Sequence, residues 1–160
     1  MICPSVSNPL QLRQLIPPLT ARTTAGSVVR AWDYKQKRNL VIAFLHADCA
    51  RCRLWLSQLT ARAADLVEFE SMGLIVFPET PPPSLEMLPF PFIAATDAGG
   101  HSQRAFLGKE VFGAAGIDLV GVFVTDRYGE LYAQWSGRDA DEMPSTDEIL
   151  KPLWQINMAC

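Results

Sequence analysis

Residues 39–56 read Asn39-Leu-Val-Ile-Ala-Phe-Leu-His-Ala-Asp-Cys49-Ala-Arg-Cys52-Arg-Leu-Trp-Leu56, and this stretch decides the fold. Its first part, Leu40 to Leu45, is a continuous apolar run with the length of a strand. Such a run is typical of a strand buried on both faces in a parallel or mixed sheet. From Cys52 onward the apolar residues recur at helical spacing. The two cysteines therefore lie between a buried strand and the helix that follows it.

The position of the cysteines at a helix start has a chemical meaning. The first helical turn leaves backbone N–H groups unpaired and carries partial positive charge. A thiol at this position ionises more readily, and the thiolate is the form that attacks a disulfide. The C-x-x-C spacing puts the second thiol one turn further on, within reach of a disulfide. We therefore predict a redox dithiol, with Cys49 as the nucleophile and Cys52 as the resolving thiol.

The residues around the dithiol offer further candidates. His46 is placed to shuttle a proton near neutral pH, and Arg51 and Arg53 favour a thiolate, whereas Asp48 opposes it by like charge. Each also has a purely structural interpretation. His46 is then a solvent-facing residue at the strand end, Asp48 is the N-cap of the helix, and the arginines are ordinary surface charge. The sequence leaves these alternatives open.

The composition is that of an ordinary globular chain. With 160 residues, 49% of them hydrophobic, it has enough apolar material for one core, and we predict a single domain over 1–160. The net charge of −3 argues against a nucleic-acid partner. No apolar run is long enough to span a membrane, and the N-terminal residues do not read as a secretory signal. With four cysteines, these features predict a cytoplasmic protein in a reducing compartment.

The first half of the chain predicts the following elements around the dithiol. Residues 1–19 form an irregular extension, in which 8–16 is a candidate short helix. A hairpin over 20–32 turns at Ala25-Gly26. The helix that starts at the dithiol should end near Met72-Gly73, where Gly73 can adopt a left-handed conformation. A parallel strand then follows over 73–78 through a right-handed crossover.

The second half predicts a proline-rich loop, a hairpin and a closing helix. Prolines between 78 and 83 stop regular structure, and 84–88 allows one helical turn at most. A helix is expected over about 100–112, followed by a hairpin with strands over 120–126 and 130–135. The last helix opens at Pro144-Ser145. Its expected buried face consists of Ile149, Leu150, Leu153, Trp154 and Ile156.

The order of these elements, with C-x-x-C on the first crossover helix, resembles the thioredoxin fold. The finer resemblance is to the redoxin branch, the peroxiredoxin and TlpA-like proteins. Its motifs are Asp33-Tyr-Lys-Gln-Lys-Arg-Asn-Leu-Val-Ile before and into the central strand, and Phe90-Pro-Phe-Ile-Ala-Ala-Thr-Asp-Ala-Gly-Gly further on. The resemblance covers about 20–157. It implies an α/β, thioredoxin-like (redoxin) domain with a central mixed β-sheet flanked by helices and an N-terminal β-hairpin extension.

The sequence departs from the peroxiredoxin pattern at the active site. Peroxiredoxins carry P-x-x-x-[ST]-x-x-C, but Ile42 and His46 occupy the proline and hydroxyl positions before Cys49, and Cys52 does not fit the motif either. The family's arginine, expected just before Gly121, is Val120. The resemblance therefore implies the fold of this antioxidant family, while a fast peroxidase is not supported.

Thioredoxin-type enzymes carry a cis-proline that faces the thiols, just before the strand that here starts near Gly121. Val120 occupies that position, and a non-proline cis bond there would cost about 3 kcal/mol or more. The resemblance places Asp48, Val120 and Gly121 on the substrate-facing side of the site. The buried acid of many thioredoxins would fall at Ala43, so that helper is also missing.

Two classes of function remain open from the sequence. One is a thiol–disulfide oxidoreductase that acts on protein or small-molecule disulfides and thiols, without a cofactor. The other is a redox-sensing or binding protein of the same fold with little turnover. A zinc site is not predicted, because Cys49, Cys52 and His46 supply three ligands and a structural zinc needs four. Cys3 and Cys160 are terminal and are candidates for a resolving thiol or for the link of a homodimer.

Overall fold

A mixed sheet at the centre of the molecule organises the chain. The structure is a computed structural model that describes residues 9–81, 83–108 and 119–158. Within them, seven strands form one sheet in the order β2-β1-β5-β4-β3-β6-β7. The strands are β1 (Thr20–Arg22), β2 (Val28–Arg30), β3 (Asn39–Phe44), β4 (Ser71–Phe77), β5 (Phe92–Thr96), β6 (Val120–Thr125) and β7 (Leu131–Gly137).

The middle of the sheet is parallel and its edges are antiparallel. β3 pairs in parallel with β4, and β4 with β5, while β6 lies antiparallel to the other side of β3. The β1–β2 hairpin and the β6–β7 hairpin close the two edges. The predicted buried central strand, the parallel crossover and both hairpins are therefore confirmed. Gly26, with φ of +88°, is at the turn predicted for the first hairpin.

Helices cover both faces of the sheet. They are α1 (Ala50–Thr60), α2 (Ala63–Glu68), the single turn α3 (Pro83–Glu86), α4 (His101–Leu107) and α5 (Thr146–Met158). Val41 and Ala43 of β3 face a core that α1, α2 and α5 complete, whereas Leu40, Ile42 and Phe44 face a core shared with α4 and the first hairpin. Burial on both faces explains the unbroken apolar run of this strand. The architecture is the one that the resemblance implies.

The prediction of one long helix after the dithiol is wrong, because two shorter helices occupy this segment. α1 ends at Thr60, α2 is a separate helix, and β4 already begins at Ser71. Gly73 lies inside that strand, and Glu70, with φ of +53°, makes the turn before it. Gly73 is required for another reason, since the ring of Phe92 on β5 occupies the space where a Cβ atom would lie.

Three smaller expectations also differ from the structure. Residues 9–16 are not helical; a single bridge joins Leu15 to Glu130 of the β6–β7 turn. α4 ends at Leu107, and the remainder of the predicted helix from 109 onward lies outside the described residues. Trp154 is 53% exposed, because it lies on the far side of α5 from its neighbour Leu153, which is fully buried.

Cys3 and Cys160 lie outside the described residues.

Candidate dithiol site

The two thiols lie at the first turn of α1, as the sequence predicted. Cys49 is the N-cap, with extended backbone angles of φ −96° and ψ 112°. Its Sγ accepts the backbone N–H of Cys52 at 3.3 Å. Cys49 is half-buried, and Cys52 is 1% exposed. Asp48, the expected N-cap, is exposed and precedes the cap by one residue, so that interpretation was wrong. The sulfur of Cys49 takes the role that a carboxylate usually fills.

Cys52 is held in its protonated form. Burial raises the pKa of its thiol to about 12, and the hydrogen bond with the Cys49 side chain acts in the same direction. The backbone N–H of His46 donates to the Cys52 sulfur and opposes this shift, whereas the charge of Asp139 adds to it. The site therefore contains two unlike thiols. One is accessible at the helix end, and the other is a neutral thiol beneath it.

We expect iodoacetamide to modify Cys49 in the folded, reduced protein and to spare Cys52. A thiol with a pKa of about 12 has a thiolate fraction of about 10⁻⁴ at pH 8, and Cys52 is also buried. Because its pKa is raised, labelling of Cys52 should begin only as the pH approaches that value. The same shift stabilises the folded state below the ordinary pKa of 9.0, and this contribution is lost as the pH rises towards 12.

Mass spectrometry of the labelled peptides measures this selectivity, with Cys49→Ser and Cys52→Ser as matched controls. Labelling in denaturant should reach both thiols and provides the reference. Equal labelling of the two cysteines in the folded protein at pH 8, a pH at which an ordinary thiol is partly ionised, would contradict the protected position of Cys52.

Arg51 forms an ion pair with a turn that is distant in sequence. Its Nη1 lies 2.6 Å from Asp141 Oδ2, and both side chains are about two-thirds exposed, at 65% and 66%. Asp141 belongs to a 3₁₀ turn, Ala140–Glu142, that Asp139 caps by accepting the Asp141 N–H. The charge that was expected to favour a thiolate is therefore shared with a carboxylate.

The 3₁₀ turn is the part of the site that sequence reasoning missed. Asp139 is close enough to Cys52 to raise its pKa, although it follows the dithiol by almost ninety positions in the chain. Trp55 of α1 fixes this arrangement, since its Nε1 donates to the carbonyl oxygen of Pro144 at 2.8 Å in a buried position. No local pattern points to such a contact. The acidic run 139–142 was the one available signal.

His46 lies directly against the dithiol. It is half-buried, and its Nε2 atom is buried without a hydrogen-bond partner among the described residues. A solvent-facing residue at the strand end would show an exposed ring, so the structural interpretation fits poorly. The contact of His46 with the dithiol is made by its backbone N–H, which donates to the Cys52 sulfur. Arg53 supports the same loop from below, with Nη1 donating to the Ala47 carbonyl at 3.1 Å.

Val120 and Gly121 begin the strand beside the dithiol loop. Gly121 pairs with Phe44, so Val120 comes alongside Leu45, the residue from which the chain runs on to Cys49. Val120 is 0% exposed in the same apolar cluster as Cys52, and Gly121 is buried as well, so neither residue presents a surface to a substrate in this structure. The cis peptide among the described residues is Phe90–Pro91, and the bond before Val120 is not of this kind.

Neither a metal site nor a membrane helix is found in the described ranges. Over residues 9–81, 83–108 and 119–158 no three His, Cys, Asp or Glu side chains are grouped closely enough to hold a metal ion. In the same ranges no helix has both the length and the apolar character needed to cross a membrane.

Solved structures share the fold of this chain. No protein-family model matches the sequence, and no curated protein does either. A protein described as thiol:disulfide interchange protein DsbE from Chlorobium tepidum is 21% identical, covers 90% of this chain and 99% of its own, and has a TM-score of 0.64. The thioredoxin domain of a thiol-disulfide oxidoreductase from Bacteroides vulgatus is 13% identical and has a TM-score of 0.63. The match covers 91% of this chain and 97% of that domain.

The second kind of neighbour is a peroxiredoxin. The reduced 2-Cys peroxiredoxin of Plasmodium vivax is 14% identical, covers 94% of this chain and 83% of its own, and has a TM-score of 0.74. At identities this low the likeness concerns the fold alone. It confirms the thioredoxin-like fold that the order of elements in the sequence predicted.

Proposed function

We propose that the chain is a thiol–disulfide oxidoreductase in which Cys49 attacks a target disulfide and Cys52 resolves the mixed disulfide. The observation that carries the proposal is the geometry of the pair. Cys49 Sγ is at the N-cap of α1 and accepts the Cys52 N–H at 3.3 Å, with the protonated Cys52 thiol beneath it. A thiolate at a helix start is stabilised by the unpaired N–H groups there, and a neutral neighbour keeps it available for attack.

The reaction transfers two electrons in two steps. The Cys49 thiolate attacks one sulfur of the substrate, the substrate S–S bond breaks, and one substrate thiolate leaves. Cys52 then loses its proton and attacks the Cys49 sulfur, which releases the second substrate thiolate and forms the Cys49–Cys52 disulfide. The substrate is reduced and the dithiol is oxidised. An external thiol, by the same chemistry in reverse, returns the dithiol to its reduced form.

His46 is the residue that we propose for the proton in the second step. Its buried Nε2 has no partner among the described residues. The backbone N–H of the same residue donates to the sulfur of Cys52. Arg51, which pairs with Asp141 of the 3₁₀ turn, is proposed to hold that turn next to the dithiol. We propose protein or small-molecule disulfides as the substrates, which approach Cys49 from the side of the exposed Asp48.

Reduction of insulin with dithiothreitol as the electron donor tests the proposed function. The native chain should accelerate the reaction in catalytic amounts, and Cys49→Ser should reduce the rate to that of dithiothreitol alone, because the attacking sulfur is gone. Ser57→Ala, which removes an exposed hydroxyl of the same helix, is the control and should leave the rate unchanged. A Cys49→Ser variant as active as the native chain would contradict the assignment.

A redox sensor with slow turnover is the second candidate, and one observation favours it. The backbone before β6 carries Val120 in place of a proline, and the bond is not cis, so the edge that aligns substrate strands in thioredoxin-type enzymes differs here. The same assay discriminates the two functions. A dithiol that oxidises and reduces reversibly, but reduces insulin at the background rate, would identify the sensor.

We further propose that the protein works in the reducing environment of the cytoplasm, where a free dithiol is maintained. This rests on the composition of the chain. A homodimer remains a proposal as well, with Cys3 or Cys160 as its candidate link. Cell fractionation and the mass of the native protein with and without reductant test the two statements separately.

A further inference from the structure

A cavity of about 220 Å³ lies at the end of the sheet opposite to the dithiol. Leu40, the second residue of β3, forms its inner wall, whereas the dithiol follows the last residue of that strand. The segment 15–20 and the turn between β6 and β7 enclose it. We call this cavity the basal pocket. None of the residues assigned to the redox site lines it.

The N-terminal extension builds one side of the basal pocket and is fixed to the sheet by its backbone. Arg13 N–H donates to the Leu131 carbonyl at 2.7 Å, and Ile16 N–H donates to the Gly129 carbonyl at 2.9 Å. In the other direction, Leu131 N–H donates to the Gln14 carbonyl at 2.9 Å. A segment without regular structure is thus held in register over the hairpin, which gives the pocket a defined wall.

The interior of the basal pocket is apolar and partly aromatic. Leu19, Ala31 and Leu40 are buried in its wall, and the rings of Trp32, Tyr34 and Tyr128 line it as well. Trp32 is 71% exposed, so most of its ring is available to a bound molecule. An apolar cavity of about 150 Å³ is known to hold a benzene ring. A cavity of about 220 Å³ therefore suits a body somewhat larger than a single ring.

The rim of the basal pocket carries an excess of positive charge. Arg30, Lys35 and Arg38 line it, and none of them forms an ion pair with another described residue. Arg38 and Lys35 are half-buried, and Lys35 Nζ lies 4.0 Å from the centre of the Trp32 ring. Cations without carboxylate partners leave positive charge at the rim, with which an anionic ligand can pair.

The other charged residues of the basal pocket are already engaged. Arg127 pairs with Glu70 at 2.9 Å. Asp126 is the one carboxylate in the lining, and its Oδ1 accepts the N–H groups of Tyr128 and Glu130 at 2.9 Å each. Tyr34 supplies a further donor, since burial, and then the charge of Asp33, raises the pKa of its phenol and keeps it protonated.

We propose that the basal pocket binds a small aromatic carboxylate, with the ring system against Trp32, Tyr34 and Tyr128 and the carboxylate on Arg38 and Lys35. The apolar interior selects the ring, and the rim cations without a carboxylate select the negative charge. The proposal is independent of the redox function, because the two sites use different residues at opposite ends of β3.

Binding of 2-naphthoate to the full chain tests this assignment by isothermal titration calorimetry. We expect saturable 1:1 binding, and binding of the neutral 2-naphthylmethanol should be weaker by about tenfold or more, since it lacks the charge. Arg38→Gln and Lys35→Gln should each weaken naphthoate by about tenfold. Arg22→Gln, which removes an arginine of β1 that does not line the pocket, is the matched control and should change the affinity less than about twofold.

Amide chemical shifts in the native chain locate the ligand. Shifts at Gly129 and at the Trp32 indole, with none at Cys49 or Cys52, are expected. The proposal is overturned if naphthoate does not saturate, if the neutral alcohol binds equally well, or if Arg22→Gln weakens binding as much as Arg38→Gln. Shifts confined to the dithiol would overturn it too, and would assign the binding to the redox site.

Discussion

A Cys52→Ser variant is expected to accumulate a mixed disulfide through Cys49 and to release it on the order of 10³-fold more slowly than the native chain. In the native chain the resolving thiol is already in place, because the side chains of Cys49 and Cys52 are hydrogen-bonded to each other. Attack by a neighbouring group on the same helix turn is far faster than attack by a thiol from solution, and serine cannot perform it. The covalent complex should therefore persist until an external thiol reaches it.

Non-reducing gel electrophoresis and mass spectrometry measure the trapped complex, with oxidised insulin or a model disulfide as the target. The variant is best made in a Cys3→Ser/Cys160→Ser background, so that the dithiol alone is observed. Cys49→Ser in the same background is the matched control and should trap almost nothing, since Cys52 is buried and protonated. Trapping through Cys52 at a comparable level would reverse the assignment of nucleophile and resolving thiol.

Trp55→Ala is expected to lower the free energy of unfolding by about 3–5 kcal/mol, the usual range for removing a large buried aromatic side chain. Trp55 is 8% exposed and shares the apolar cluster of Cys52 and Val120. The substitution also leaves the carbonyl of Pro144 without its indole donor, which now lies 2.8 Å away. The ring is thus the link between the helix that carries the dithiol and the start of the last helix.

Urea unfolding of the reduced protein measures this effect. Leu54→Ala is the matched control, because Leu54 is the preceding residue of α1 and is 61% exposed; its effect should stay within about 0.5 kcal/mol. Trp55→Phe separates the ring from the hydrogen bond and should cost about 1 kcal/mol for the lost donor. A loss below about 1 kcal/mol for Trp55→Ala would show that α1 is held by other contacts.

The parts of the fold that neighbouring residues decide were predictable from the sequence. The run from Leu40 to Leu45 needs both faces buried, which only a central strand provides, and the change of period at Cys52 identifies the helix start. The turn at Gly26 was predictable because glycine adopts a positive φ at little cost, and its φ in the structure is positive. These signals are local, and together they gave the order of the elements.

The end of α1 was not predictable from local propensity. No glycine or proline interrupts 50–72, so local propensity favours one continuous helix. In the structure Arg62 leaves the helical conformation and pairs both with Asp65 and with Asp147 of α5. Ion pairs to a helix that follows by more than eighty residues carry no signature in the local pattern.

The candidate site was only half predictable for the same reason. Cys49, Cys52 and His46 come together because they are close in sequence. Asp139 and Asp141 reach the dithiol through the strand order of the sheet and the packing of Trp55, which a single sequence does not reveal. The cap was misassigned because sequence rules rank aspartate above cysteine, whereas the backbone places Cys49 one residue before the first helical residue.

Because Cys52 is 1% exposed while Cys49 reaches the surface, an external thiol can attack only one end of a Cys49–Cys52 disulfide. Reductant and substrate must then use the same sulfur atom, and they cannot occupy it together. Under the proposed chemistry, turnover follows a ping-pong scheme, in which double-reciprocal plots at several reductant concentrations are parallel. A large excess of either reactant slows the half-reaction of the other, whereas the reduction potentials of the two couples set the direction of electron flow.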